Sequence, residues 1–210
     1  ANQKPIMKRF LLPLVLLVFV SCTITYKRNA KVDFNKQDET TLKEFLKSYN
    51  VDYDPNDIMV LHDFNYFAFF YQKHKLQVPH AYFFNKEGVS VVDDFKGTRC
   101  GQVISNLDKI NKAKPDGTEN ANDFLMPAKF LFGELADNTN NGKGYESYIV
   151  ITWGMYAESL SKGINETSFK WYSDLKENHP EVRVILLNLD LQKDWEMTPE
   201  QDEAMGILKT

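Results

Sequence analysis

The strongest constraint on the fold is a pair of apolar segments in the second half of the chain, with a helical pattern between them. The segments Tyr148 to Thr152 and Val182 to Leu189 are rich in β-branched and aliphatic residues, as expected for buried strands. Between them, apolar side chains recur at helical spacing at Phe169, Tyr172 and Leu175. A strand, a helix and a second strand in this order predict a parallel strand pair joined by a right-handed crossover. We therefore expect an α/β fold.

A second group of elements precedes this unit. The segment Ile58 to Leu61 has the pattern of a short buried strand, and apolar residues from Phe67 to His74 recur at helical spacing. After Val78-Pro79 come two apolar runs, Ala81 to Phe84 and Val89 to Val92, joined by a polar turn that ends in glycine. This arrangement predicts a β-hairpin.

Two helix starts are marked by capping residues. Thr41 stands three residues before Glu44, a spacing that predicts a capping box at the start of a short amphipathic helix. Near the end of the chain, Thr198 is followed by Pro199. Proline is well tolerated at the first helical position, so a last helix is expected to begin there.

A polar stretch divides the chain into two parts. Residues 113–123 include Pro115 and Gly117 and show no apolar periodicity, which predicts a linker. The linker would separate a first unit, residues 38–112, from a second unit, residues 124–210.

The first residues have the layout of a secretory signal. Lys8 and Arg9 precede the apolar run Phe10 to Val20, which ends at Ser21-Cys22. The run is about half of the roughly 20 residues that a transmembrane helix needs. A secretory signal is therefore favoured over a permanent membrane span.

This segment resembles a bacterial lipoprotein signal, in which a peptidase cleaves before a cysteine that carries diacylglycerol. The resemblance implies that residues 1–21 are removed, that Cys22 is lipidated and that residues 22–37 form a tether. The protein would then be a lipid-anchored membrane protein on the periplasmic side of the cell envelope. Ordinary cleavage and an uncleaved anchor are the alternatives.

Both units resemble parts of the thioredoxin-like superfamily. The stretch from Ile58 to Ile110 is similar to the carboxy-terminal half of thioredoxin, in which the proline corresponding to Pro79 is cis and faces the active site. The stretch from Tyr148 to Trp195 is similar to the amino-terminal half of the TlpA-like, membrane-tethered thioredoxins, above all at Ile151-Thr152-Trp153-Gly154-Met155-Tyr156 and Asn188-Leu189-Asp190. The resemblance implies a thioredoxin-like mixed sheet flanked by helices.

The two halves occur in the reverse of the thioredoxin order. A circularly permuted domain, two incomplete units in tandem, and halves completed by another chain are each compatible with this order. We favour one compact body, because neither unit alone has enough strands to cover both faces of a parallel sheet.

The cysteine pair of thioredoxin is missing. In the family, Cys-x-x-Cys stands at a helix start that lowers the pKa of one thiol, whereas the corresponding residues here are Ala157-Glu158-Ser159-Leu160. No dithiol cycle can run without sulfur at this position. The resemblance then implies a groove that binds an extended peptide or an envelope protein by strand addition. The residues expected to line the groove are Trp153, Tyr156, Ala157, Leu160, Val78 and Pro79.

Two other functions remain open. Cys100 follows Arg99 near an expected helix start, a setting that can lower a thiol's pKa, so a thiol oxidoreductase or peroxidase acting through Cys100 is the main enzymatic alternative. The other is an assembly component whose fold is completed by a partner chain, including a homo-oligomer.

Charge and histidine spacing argue against several classes of ligand. The formal net charge of -4 gives no overall basic field, so nucleic acid is not an expected partner. The four histidines share no metal-ligand spacing, and no cofactor or phosphate-binding motif occurs, so neither a metal nor another cofactor is expected. These histidines are His62, His74, His80 and His179.

Overall fold

The computed structural model describes residues 32, 34–91, 107–132 and 144–207. The predicted signal, most of the predicted tether and both cysteines, Cys22 and Cys100, lie outside these residues. None of the helices in the described residues is both long and apolar enough to cross a membrane.

The described residues form strands and helices that alternate through most of the chain. The strands are β1 (Ile58–Leu61), β2 (His80–Asn85), β3 (Val89–Val91), β4 (Pro115–Asn120), β5 (Ala128–Phe130), β6 (Ser147–Trp153) and β7 (Val182–Asn188). The helices are α1 (Glu39–Ser48), α2 (Phe64–His74), α3 (Leu107–Ile110), α4 (Ala121–Leu125), α5 (Ile164–Asn178) and α6 (Pro199–Ala204).

The strands form one mixed sheet in the order β4-β3-β2-β6-β7-β1-β5. Strands β6, β7 and β1 are parallel to one another. The other pairs are antiparallel: β2 with β6, β3 with β2, β4 with β3 and β5 with β1. The pairing of β6 with β7 confirms the predicted parallel pair. An α/β fold with a mixed sheet flanked by helices, in a thioredoxin-like arrangement, is thus confirmed.

Strands from both predicted units lie side by side in this sheet. Strand β2 comes from the first unit and β6 from the second, yet they pair from His80 opposite Thr152 to Asn85 opposite Ser147. Strand β1, also from the first unit, pairs with β7 on the other side. The two units therefore complete one sheet within a single chain.

Each face of the sheet is covered by helices. Alternate residues of β6 point to opposite faces: Ile149 and Ile151 belong to the core under α1 and α5, whereas Val150 belongs to the core under α2 and α4. Helix α1 contributes the fully buried Leu42 and Leu46 to the first core. The two-sided burial explains why β6 and β7 are apolar along their whole lengths.

The segment predicted as a linker contains regular structure. Residues 113–123 include β4, which pairs with β3 through Val89 opposite Asn120 and Val91 opposite Pro115. Strand β4 lies at the edge of the sheet, where polar side chains and an initial proline are tolerated. The polar composition therefore reflects an edge strand rather than a linker.

Helix α1 begins before the predicted capping box. The Asp38 side chain accepts a hydrogen bond from the Thr41 N–H (2.9 Å) and is the N-cap of a helix that starts at Glu39. Thr41 therefore lies within the first turn. At the other end of the chain, Thr198 and Gln201 form the capping box of α6, which confirms the predicted start of that helix.

Candidate functional site

The residues predicted to form a groove come together at the carboxyl end of β6. The loop before β2, residues 76–79, is called here the cis-proline segment, because the Val78-Pro79 peptide bond is cis. It runs beside the carboxyl-end turn, residues 154–160. The Tyr156 hydroxyl donates to the Leu76 carbonyl (3.1 Å), and the Thr152 hydroxyl donates to the Gln77 carbonyl (2.6 Å). Two regions distant in sequence are thereby held in contact.

The cis-proline segment has a backbone position without a hydrogen-bond partner in the described part of the chain. There, no hydrogen bond involves the N–H or the C=O of Val78, although the carbonyls of the two preceding residues, Leu76 and Gln77, each accept from a side-chain hydroxyl. The Val78 side chain is half-buried against the core. A backbone donor and acceptor at the end of a strand can pair with an added extended chain.

The predicted groove residues differ in their exposure. Trp153 and Ala157 have at most 1% of their surface exposed and Tyr156 has 4%, so these side chains lie in the core and cannot line an open groove. Trp153 packs between Phe45 and Phe169, with ring centroids 5.9 and 5.4 Å away. Trp153 ends a strand buried on both faces, which explains its burial. The partly exposed members of the predicted set are Leu160, Val78 and Pro79.

The carboxyl-end turn is not the first turn of a helix. Residues Met155–Ser159 form a short 3-10 helix, and α5 begins only at Ile164. The tetrapeptide at positions 157–160 therefore precedes the helix whose terminus would activate a thiol in a redox relative. This placement differs from the expectation drawn from the resemblance.

The Glu158 carboxylate caps the amino terminus of α5. One carboxylate oxygen accepts from the Gly163 N–H (2.6 Å), and the other accepts from the side-chain amide of Asn165 (2.7 Å). Burial and a hydrogen bond to the Glu158 carboxylate raise the pKa of Tyr49 to about 12, so Tyr49 stays protonated as a donor. Unpaired N–H groups at a helix start attract negative charge, and here Glu158 supplies it.

Asp190 lies beneath the carboxyl-end turn and is fully buried. Its carboxylate accepts from the Met155 N–H (2.7 Å), the Tyr156 N–H (3.0 Å) and the Asn188 side-chain amide (2.7 Å). Burial raises the pKa of Asp190, and the three donors oppose that rise. Asp190 therefore positions the turn through hydrogen bonds from neutral groups.

A short segment near the start of the described chain packs on the carboxyl-end turn. We call residues 34–38 the strap. The Phe34 ring lies 5.0 Å from the Tyr156 ring, centroid to centroid, and 6.2 Å from the Phe67 ring. The Gln37 N–H donates to the Leu191 carbonyl (2.7 Å). The last residues of the predicted tether are thus part of the folded body.

The sequence interpretation missed the strap, Glu158 as a cap and Asp190 as a positioning residue. A faint indication of the strap was present, since Val32 and Phe34 alternate with a polar residue. The sequence marks Asn188-Leu189-Asp190 only through the resemblance to TlpA-like thioredoxins. The contacts of both segments reach residues far away in the sequence, so neither role could be derived locally.

The opposite end of the sheet contains a second buried carboxylate. Asp57 is fully buried and forms ion pairs with Lys176 (2.8 Å) and Arg183, and it accepts from the Tyr172 hydroxyl (2.7 Å). A cavity of about 870 Å³ opens near this end, with Arg183 in its lining. Since Arg183 is already engaged by Asp57, it is not an unoccupied anion-binding group.

The histidines and acidic residues do not gather into a metal site in the described part of the chain, where no group of three His, Cys, Asp or Glu side chains could hold an ion. His74 instead packs among aromatic rings, including Phe70 and Phe124, both 4.9 Å away. Burial lowers the pKa of His74, and nearby Glu119 opposes this.

Comparison with known proteins gives no identification: no protein-family model matches the chain, and no curated protein or solved structure matches it.

Proposed function

We propose that this chain is a membrane-tethered, redox-inactive thioredoxin-like protein of the bacterial cell envelope, which binds an extended peptide or a partner protein beside Val78 and Pro79. The observation that carries the proposal is the backbone of Val78, which has no hydrogen-bond partner among the described residues and lies next to a turn that has no sulfur. An extended segment could add to the N–H and C=O of Val78, as strands add to sheet edges in other recognition modules.

The arrangement of the carboxyl-end turn supports a binding role over a redox role. Ala157 and Leu160 occupy the positions of the two cysteines, and Glu158 already satisfies the start of α5. A carboxylate there would also disfavour a thiolate through like-charge repulsion. Nothing in this turn can form or break a disulfide.

Peptide binding can be tested with a displayed library of random decapeptides panned on the purified full chain. Affinities of selected peptides would be measured by fluorescence anisotropy for the wild type and for Val78→Asp. We expect a loss of affinity of about tenfold or more, because the new carboxylate would lie against the added chain and be desolvated on binding. Gln72→Asp, on the exposed surface of α2, is the matched control and should bind normally. Equal affinities of Val78→Asp and wild type would place the peptide elsewhere.

The proposed lack of redox activity is tested by insulin reduction with dithiothreitol as the electron donor. We expect a rate no higher than that of dithiothreitol alone, since the carboxyl-end turn contains no thiol. Turnover comparable to a thioredoxin control, abolished by Cys100→Ser, would instead favour the oxidoreductase.

The lipid anchor is tested by expressing the full chain in a bacterium and separating membranes from soluble protein. The wild type should appear in the membrane fraction, with the mass of an acylated Cys22, because more than one acyl chain gives stable anchoring. Cys22→Ser should lose the acyl mass and the anchoring, whereas the matched variant Cys100→Ser should keep both. Membrane association of an unacylated Cys22→Ser protein would contradict lipidation.

A further inference from the structure

Tyr156 connects the strap with the cis-proline segment. Its ring faces Phe34, its hydroxyl donates to the Leu76 carbonyl, and its N–H donates to Asp190. Phe34, Val78 and Leu76 all pack against the same core cluster as Tyr156. Phe34 and the residues that precede Pro79 therefore share one contact, the Tyr156 side chain.

The strap is fastened to the body by its backbone, by two ion pairs and by one aromatic side chain. Gln37 is buried, forms an isolated bridge with Gln192, and its backbone bonds Leu191 and Lys193, both at 2.7 Å. The side chains of the ion pair Lys36 with Asp202 (2.8 Å) are 24% and 26% exposed, and those of Lys193 with Asp38 (2.6 Å) are 56% and 41% exposed, so the second pair contributes little to stability. Phe34 is the apolar side chain of the strap, and the strap belongs to none of the seven strands of the described sheet, so it can open locally while the sheet remains intact.

From these contacts we propose that the strap is a latch. With Phe34 on Tyr156, the latch restrains the cis-proline segment and covers apolar surface that a bound peptide would use. Release of Phe34 opens that surface. The ligand in this inference rests on the proposed function, but the restraint by Phe34 does not.

The restraint is tested first without any ligand, by amide hydrogen exchange on the full chain. In Phe34→Ala, the Gln37 and Lys193 amides, which bond across the strap, should exchange about two- to tenfold faster, as expected for the loss of one aromatic pair. Phe69→Ala is the matched control, because Phe69 is 50% exposed. Unchanged exchange in Phe34→Ala would overturn the latch.

Competition with ligand is tested next, using the decapeptides selected on the wild type. Phe34→Ala should bind them about two- to tenfold more tightly, and Phe69→Ala should not. Faster exchange combined with unchanged or weaker binding would overturn the competition. If no decapeptide binds any variant, the proposed function fails, while the exchange comparison still decides whether Phe34 holds the strap.

A second variant keeps the latch testable if Phe34→Ala fails to fold. Lys36→Glu replaces the attraction to Asp202 by repulsion and alters neither Phe34 nor Tyr156. It should shift exchange and affinity in the same direction as Phe34→Ala, but by less, with an unchanged circular dichroism spectrum. A shift in the opposite direction would contradict the latch.

Discussion

The two ends of the parallel strands each bury a carboxylate, but they stabilise it by different means. At the carboxyl end, Asp190 is held by two backbone N–H groups and an asparagine amide. At the amino end, Asp57 is held by Lys176, Arg183 and the hydroxyl of Tyr172. The amino end therefore depends on charge pairing, whereas the carboxyl end depends on hydrogen bonds that shape a turn.

This difference teaches that burial of a carboxylate does not by itself indicate its role. The ion pairs of Asp57 link the loop before β1 to α5 through Lys176 and to β7 through Arg183. The two backbone donors to Asp190 lie in the carboxyl-end turn, beside the cis-proline segment, where the proposed ligand would approach. We expect the amino end to be structural and the carboxyl end to combine structure with recognition.

The largest effect should come from Asp190→Ala. Two buried donors, the Tyr156 N–H and the Asn188 amide, and the partly buried Met155 N–H lose their acceptor. Each unsatisfied buried group costs about 1 to 3 kcal/mol, so the free energy of unfolding should fall by about 4 kcal/mol. Urea unfolding followed by circular dichroism measures the change. The control Asp194→Ala removes a carboxylate that is 61% exposed, and its cost should stay below about 1 kcal/mol. Similar losses in both variants would contradict the assigned role of Asp190.

A somewhat smaller effect is expected for Asp57→Ala, which should lower the free energy of unfolding by about 3 kcal/mol because it breaks a buried ionic cluster. The side chains of Lys176 and Arg183 are 38% and 19% exposed, so salt can screen them. The loss should therefore shrink in about 1 M salt, while that of Asp190→Ala should not. Asp174→Ala, which removes a surface pair with Lys170, is the control. Equal salt responses of Asp57→Ala and Asp190→Ala would contradict the proposed difference between charge pairing at the amino end and hydrogen bonding at the carboxyl end.

Gly154→Ala should have the next largest effect. An added Cβ would lie 2.6 Å from Cε1 of Tyr156, so the ring must move, at a cost of about 2 kcal/mol. The Phe34 contact should weaken as well, which amide exchange of Gln37 would detect. Gly144→Ala, toward the amino end of β6, meets no atom within 4 Å and should leave exchange of Gln37 unchanged. Normal stability of Gly154→Ala would argue against close packing of Tyr156.

The smallest expected effect is a dependence on pH. Burial raises the pKa of Asp190 above its ordinary value of 3.8, so its contribution to stability is full below that value and is lost as the pH rises through the folded-state pKa. Relative to Asp190→Asn, which does not titrate there, the wild type should lose stability as the pH rises. Urea unfolding over a series of pH values gives the sign. A relative gain on raising the pH would show that the hydrogen bonds outweigh the burial.

The strands and helices were easier to predict from the sequence than any other part of the fold. The patterns at Ile58 to Leu61 and Val182 to Leu189 predicted β1 and β7, because strands buried on both faces are apolar throughout. Edge strand β4 was missed, since a strand that is only partly covered needs little apolar sequence. The resemblance led to the expectation that Pro79 is cis, as the structure has it.

The candidate functional site was harder to predict from the sequence than the fold. Residue types alone show that Ala157 and Leu160 cannot form a disulfide. Exposure was misjudged for Trp153, because a residue at the end of a strand can face either the core or solvent, and helices α1 and α5 decide which.

By itself, the sequence determined the parallel strand pair, the hairpin and the lack of sulfur at positions 157 and 160, because each depends on residues that are close together along the chain. Only the tertiary structure decided that both units complete one sheet, that Glu158 caps α5 and that Phe34 covers Tyr156. These features depend on contacts between segments distant in sequence, and such contacts form only when the sheet brings the carboxyl ends of its strands together.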